Sequence, residues 1–195
     1  MKSSGHQKAE SQDTGDRYEI RLSGSGGQGL ILAGVILATA VGVGDGKNVA
    51  QTQSYGPEAR GGASRADIVV SDGEIFYPKT MKLDLLLALT QEACDKYFPD
   101  LKEDGILVVD STLVTQVPTK KYYGFPFVRL AKEKIGHVMV ANVIALGAIA
   151  ELTGIVSQES IKDAVLERAP RGTEDKNKKA LELGFSIARK VKTQA

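Results

Sequence analysis

The chain has 195 residues, 42% hydrophobic and 25% charged, with 25 Lys and Arg against 24 Asp and Glu for a net charge of +1. That length fits one domain with a proper core, and the composition is ordinary for a globular protein. The near-neutral balance supplies no bulk attraction for nucleic acid or an anionic membrane, so neither is expected as a partner.

Cys94 is the only cysteine, and His6 and His137 are the only histidines. One thiol makes no internal disulfide and cannot ligate an iron–sulfur cluster; a structural zinc site is not expected either. Any redox metal chemistry must then lie in another chain. Cys94 stands near Glu92 and Asp95, without an adjacent histidine, and reads as an inert, partly buried thiol. The polar N-terminus shows no signal peptide, and the apolar run at 30–41 is too short to span a bilayer. A cytoplasmic location is expected.

Residues 1–16 are polar and without periodicity, which predicts a flexible tail and leaves a single domain over 17–195. A strand is predicted at 17–22, then the turn Gly24-Ser25-Gly26-Gly27-Gln28-Gly29, then a helix at 30–41 that is apolar nearly all round. Strand, glycine turn and helix in that order aim main-chain N–H groups and the positive end of a helix dipole at one point, which suits an anion. Glycine is required where φ is positive or where another group comes close, and Gly26 is expected to be such a position, closed to valine. The spacing fits G-x-G-x-x-G, but no acidic residue ends the second strand, predicted at 47–53, to hold a ribose. NAD binding in the usual way is therefore not expected. The turn either binds an anion or cofactor, or packs and docks another chain.

The segment at 54–62, Ser54-Tyr55-Gly56-Pro57-Glu58-Ala59-Arg60-Gly61-Gly62, reads as a loop. Arg60 can hold a phosphate or carboxylate in bidentate fashion and Tyr55 can stack on a base, or both can serve subunit docking. Loop and glycine turn are expected at one rim. A third strand follows at 65–71, with Asp72-Gly73 as a hairpin turn and 74–77 pairing back. The leucine run at 84–89 predicts a buried strand, 90–98 a helix, 106–109 another buried strand ending at Asp110-Ser111, 122–127 a short strand and 129–135 a helix. Asp110 or Ser111 is expected to satisfy the following turn, and His137 to be structural or interfacial. Helices at 141–152, at 158–169 capped by Ser157, and at 174–191 complete the chain; Lys176, Lys178 and Lys179 are expected in solvent. Gly44-Asp45-Gly46 looks like the start of a thiamine-diphosphate motif, but its downstream asparagines are missing. The alternation predicts an α/β fold: a three-layer α/β/α sandwich around a mixed, mostly parallel sheet, with a Rossmann-like first unit and a helical C-terminal part.

Taken together, the glycine turn, the run from Gln53 through Gly62, the strand with Ser71 leading to Tyr77-Pro78, and the helix beginning Ala141-Asn142-Val143-Ile144 resemble the γ subunit of 2-oxoacid:ferredoxin oxidoreductases. The 2-oxoglutarate or branched-chain ketoacid type is most similar. The resemblance runs from about residue 17 to about residue 188. It implies one part of an enzyme that oxidatively decarboxylates a 2-oxoacid, joins the acyl group to coenzyme A and reduces ferredoxin. Thiamine diphosphate would sit between the α and β subunits. Iron–sulfur clusters would belong to β or to a ferredoxin-like subunit. This chain would bind no cofactor alone and would help shape the coenzyme A approach. The contact positions carried over are Gly24, Ser25, Gly26, Gly27, Gln28, Gly29, Ser54, Tyr55, Glu58, Arg60, Gly61 and Gly62, none as an acid, base or nucleophile. A homodimer of the isolated chain stays open. The alternative is a stand-alone nucleotide-binding α/β domain, such as an NAD-linked oxidoreductase.

Overall fold

Strand β1 (Arg17–Ser25) runs between an antiparallel neighbour, β3 (Ala63–Ser71), and a parallel one, β4 (Leu83–Ala88). The computed structural model describes residues 17–54 and 63–193. Among them six strands form one sheet, ordered β2-β3-β1-β4-β5-β6, with β2 (Asn48–Ser54), β5 (Leu101–Asp110) and β6 (Tyr123–Phe125) filling the outer positions. β4, β5 and β6 are mutually parallel, while β3 is antiparallel to both its neighbours. The sheet is thus mixed and mostly parallel.

One face of the sheet, through Ile20, Leu22, Ile68, Val70, Leu85 and Leu87, shares one core with α1 (Leu30–Thr39), α4 (Ala141–Thr153), α5 (Gln158–Arg168) and α6 (Glu174–Lys192). Burying each such large aliphatic chain stabilises the fold by roughly 1.5–3 kcal/mol. The other face, through Leu83, Leu86, Leu107 and Val109, packs against the short α2 (Gln91–Tyr97), so the two outer layers are unequal. α2 starts at Thr90, whose hydroxyl accepts the Ala93 N–H at 3.3 Å. α3 (Phe127–Leu130) continues through a wider turn to Ile135, where Gly136 closes it at φ 74. Residues 141–150 of α4 are all buried. α4 and α6 touch at backbone level: a Cβ on Gly147 would meet the Leu181 carbonyl oxygen, and one on Gly184 the Ile144 carbonyl oxygen. α1 is not buried all round in the single chain: Leu32 is 42% exposed.

The hairpin expected at Asp72-Gly73 does not form. Both edges of β3 are already paired, one with β1 and one with β2, so residues 74–77 have no free edge to join. Charged side chains satisfy this segment's backbone instead. Glu19 accepts N–H groups from Met81 and Lys82, and Arg17 donates to the carbonyls of Tyr77 and Lys79 at 2.8 Å each. Ser71 Oγ accepts the Gly73 N–H at 3.0 Å.

The same covering buries the polar side of β1. Arg21, 4% exposed, stands directly opposite Asp67 in the β1–β3 register and makes a bidentate pair with it, at 2.7 and 3.0 Å. Arg21 also donates to Asp100 and Thr80 and lies 4.8 Å from the Tyr97 ring centroid. Burial alone would lower the guanidinium's pKa; the hydrogen bonds and charges of Asp67 and Asp100 outweigh it and hold the pKa above its ordinary value.

Candidate functional site

The glycine turn sits where β1 ends and α1 begins. Its main chain is held by a reciprocal pair: Ser25 N–H donates to Gln28 Oε1 at 2.8 Å, and Gln28 N–H to the Ser25 carbonyl at 3.4 Å. Gly27 and Gly29 have φ of 89 and 72, which only glycine adopts without strain. Gly29 is the residue before α1, and no side chain caps that helix start. Gly24 is buried, Ser25 and Gln28 half-buried, and Gly26 and Gly27 exposed, so the turn faces outward. The expectation for Gly26 is corrected: its φ is not positive and nothing lies within 4 Å of where its Cβ would stand. The steric demand falls on Gly27 and Gly29, because the reversal between β1 and α1 is made there.

Ser54 ends β2, exposed, and Ala63 starts β3. Ala63 pairs with Ser25 in the sheet register, so both anchors of the 55–62 segment lie at the sheet end that carries the glycine turn. Tyr55, Glu58, Arg60, Gly61 and Gly62 themselves lie outside the described residues. The strand that would carry a ribose-binding acid, β2, is separated from β1 by β3, which moves its end one strand further from the turn.

Across the turn lies the start of α4. The Asn142 side-chain amide, 4% exposed, donates to the Gly29 carbonyl at 3.0 Å, while its Oδ1 is buried without a partner. Gly29 and Asn142 both line a cavity of about 380 Å³ between α1, α4 and the α5–α6 connection. His137 borders it too, with a buried and unpartnered Nδ1, as do Arg168 and Lys176. The expectation that Asp110 serves the following turn holds. Asp110 is fully buried, and its carboxylate accepts the N–H groups of Thr112 at 2.7 Å and Val128 at 2.8 Å, so both oxygens serve the backbone.

Asp45 joins the end of α1 to the start of α5, accepting Ser157 N–H and Oγ–H at 2.7 Å and Ser160 Oγ–H at 2.6 Å. Partial burial pulls its pKa up, but those hydrogen bonds and Lys47 hold it below the ordinary carboxylate value. Among the described residues no cluster of His, Cys, Asp or Glu could hold a metal, and no helix is long and apolar enough to cross a membrane.

Asn142 was visible in the sequence only as part of a helix, and Leu32 only as one more apolar residue. The buried Arg21–Asp67 pair had one local signal: opposite charges on alternate positions of two strands.

The family described as pyruvate ferredoxin/flavodoxin oxidoreductase matches residues 19–187. The chain is 50% identical over 179 residues to the 2-oxoglutarate synthase subunit KorC of Methanocaldococcus jannaschii, covering 90% of this chain and 96% of that one. Among solved structures it is similar to the keto/oxoacid ferredoxin oxidoreductase γ subunit of Geobacter sulfurreducens, at 52% identity and a TM-score of 0.82 over 89% of this chain and 97% of that one. The fold also matches part of the 2-oxoglutarate:ferredoxin oxidoreductase of Magnetococcus marinus, at 21% identity and a TM-score of 0.77, over 89% of this chain and 31% of that one. With residues 19–187 matched by the family and nearly the whole length shared with these relatives, the chain belongs to the pyruvate ferredoxin/flavodoxin oxidoreductase family.

Proposed function

We propose that the chain is the γ subunit of a 2-oxoacid:ferredoxin oxidoreductase whose oxoacid is 2-oxoglutarate. The assembled enzyme decarboxylates the oxoacid, transfers the acyl group to coenzyme A and passes the electrons released to ferredoxin. The observation that carries this reading is the full-length identity of 50% with a 2-oxoglutarate synthase subunit, covering 96% of that subunit and so not a shared fragment. The chain is silent alone. Thiamine diphosphate belongs between α and β subunits, and the iron–sulfur clusters to β or a ferredoxin-like subunit, since one cysteine cannot ligate a cluster.

The chain's own contribution is contact and positioning. The outward-facing turn at Gly24–Gly29 and the segment carrying Ser54, Tyr55, Glu58, Arg60, Gly61 and Gly62 provide main-chain N–H groups, the open start of α1 and one guanidinium toward the coenzyme A approach or a sister subunit.

The test reconstitutes the complex with and without this chain and follows ferredoxin reduction. The reading expects activity that needs 2-oxoglutarate and coenzyme A together and fails without this chain; Arg60→Ala should weaken assembly or raise the KM for coenzyme A. A complex equally active without this chain would overturn it, as would turnover of NAD by the chain alone.

A further inference from the structure

We infer that the cavity between α1, α4 and the α5–α6 connection is a docking socket, taking an apolar side chain from an acidic segment of a sister subunit. The inference rests on the subunit reading above and names the surface and chemistry it left open.

The walls of the socket are apolar, built by Ile36, Val140, Val143 and Val165. At about 380 Å³ it has the size of a ligand pocket. Its apolar surface continues outward: Leu32 and Met139 line it and are 42% and 55% exposed, and Val138 beside Met139 is 47% exposed. A small ligand filling the hollow would leave that rim in water, whereas a polypeptide laid across it covers both. The exposed rim is Leu32 on α1 together with Val138 and Met139 in the turn that leads into α4.

The polar groups of the socket say what the segment carries. Three buried side-chain polar atoms lack a partner among the described residues, and two of them, Asn142 Oδ1 and His137 Nδ1, belong to residues lining this cavity. An acceptor left dry and unpaired is costly, so the arriving chain is expected to donate an N–H to Asn142 Oδ1. The charged residues bordering the cavity are Arg168 and Lys176. No Asp or Glu lines it, and neither cation has an ion-pair partner among the described residues. Two unpaired cations around an apolar hollow select carboxylates flanking the inserted side chain. Another exposed apolar group, Phe76, Tyr77 and Met81, borders charged residues that are already paired, such as Arg17 with Glu19 and Lys102 with Asp84, and serves as a control surface.

The test co-expresses the full chain, affinity-tagged, with the α, β and ferredoxin-like subunits and measures the sister subunits recovered. Met139→Glu and the double variant Arg168→Glu/Lys176→Glu should each recover roughly tenfold less, as expected when the apolar rim or the charges beside it are lost. Phe76→Glu should recover wild-type amounts. The charge reversals lie on exposed side chains, so thermal unfolding of the tagged chain should be unchanged and loss of assembly would not be loss of fold. Wild-type recovery by both socket variants overturns the proposal. So does unchanged assembly with a raised KM for coenzyme A, which would put a small ligand there. A wild-type chain that recovers no sister subunit fails the subunit reading itself, and the socket with it.

Discussion

Asn142 and Gly29 are joined by a 3.0 Å hydrogen bond across 113 positions of chain, tying the start of α4 to the glycine turn. Gly29 meets two demands at once: φ is 72, and a Cβ there would run into Asn142 Nδ2. Gly29→Ala should therefore destabilise the chain by about 2–4 kcal/mol, backbone strain and clash together. Urea unfolding measures it. Asn142→Ala added to Gly29→Ala should relieve the clash and leave the strain, a coupling visible in a double-mutant cycle. Gly26→Ala should stay within about 0.5 kcal/mol of wild type. Equal losses at positions 26 and 29 would contradict this account of the turn.

Arg21 and Asp67 form a buried pair on the polar face of β1 and β3. Removing Arg21 leaves the buried Asp67 carboxylate with only the Thr80 hydroxyl at 3.1 Å and Arg65 at 3.6 Å. Arg21→Met should cost about 3–5 kcal/mol, and Arg21→Met with Asp67→Leu clearly less. Chemical denaturation of the single and double variants decides; a double variant as unstable as the single one would show that packing, not the stranded carboxylate, sets the loss.

Asp45 holds the α5 start through Ser157 and Ser160, with its pKa below the ordinary value. A carboxylate depressed in the fold contributes stability that is fully present above its unfolded pKa of about 4 and is lost as pH falls through the lowered value. Asp45→Asn should thus cost about 0.5–1 kcal/mol at pH 7, a small figure because the group is largely solvated and screened. The gap between wild type and variant should narrow below about pH 4. A gap constant from pH 7 to pH 3 would rule out this linkage.

Cys94 is fully buried, where the sequence suggested a partly buried thiol. Burial, with Asp95 adding to it, pushes its pKa up. At pH 8 a disulfide reagent should leave the native chain unmodified and release one equivalent of chromophore per chain in guanidinium. Rapid labelling of the folded chain would show that α2 opens from the sheet far more readily than its packing allows.

The order of strands and helices was readable locally, since each element carries its own periodicity and stop signals. The leucine run became β4, Thr90 and Ser157 became caps, and Gly136 closed its helix, within a residue or two of expectation. The glycine turn was legible as a strand-to-helix reversal, but not which glycines it needs. Gly26 and Gly27 are neighbours in the same motif, and only the path of the chain toward α1 gives one of them a positive φ.

By itself the sequence determined the class of layers and the family, because motif order and apolar spacing are properties of neighbouring residues. Tertiary structure decided what depends on distant segments meeting. It set β3 between β1 and β2, so that no edge was left for the expected hairpin, and it buried Arg21 opposite Asp67 under the chain at 77–82. It also brought Gly29, His137, Asn142, Arg168 and Lys176 around one hollow, although 147 positions separate the first from the last. Such meetings are set by how one sheet face fills its volume, and no local pattern of residues encodes that.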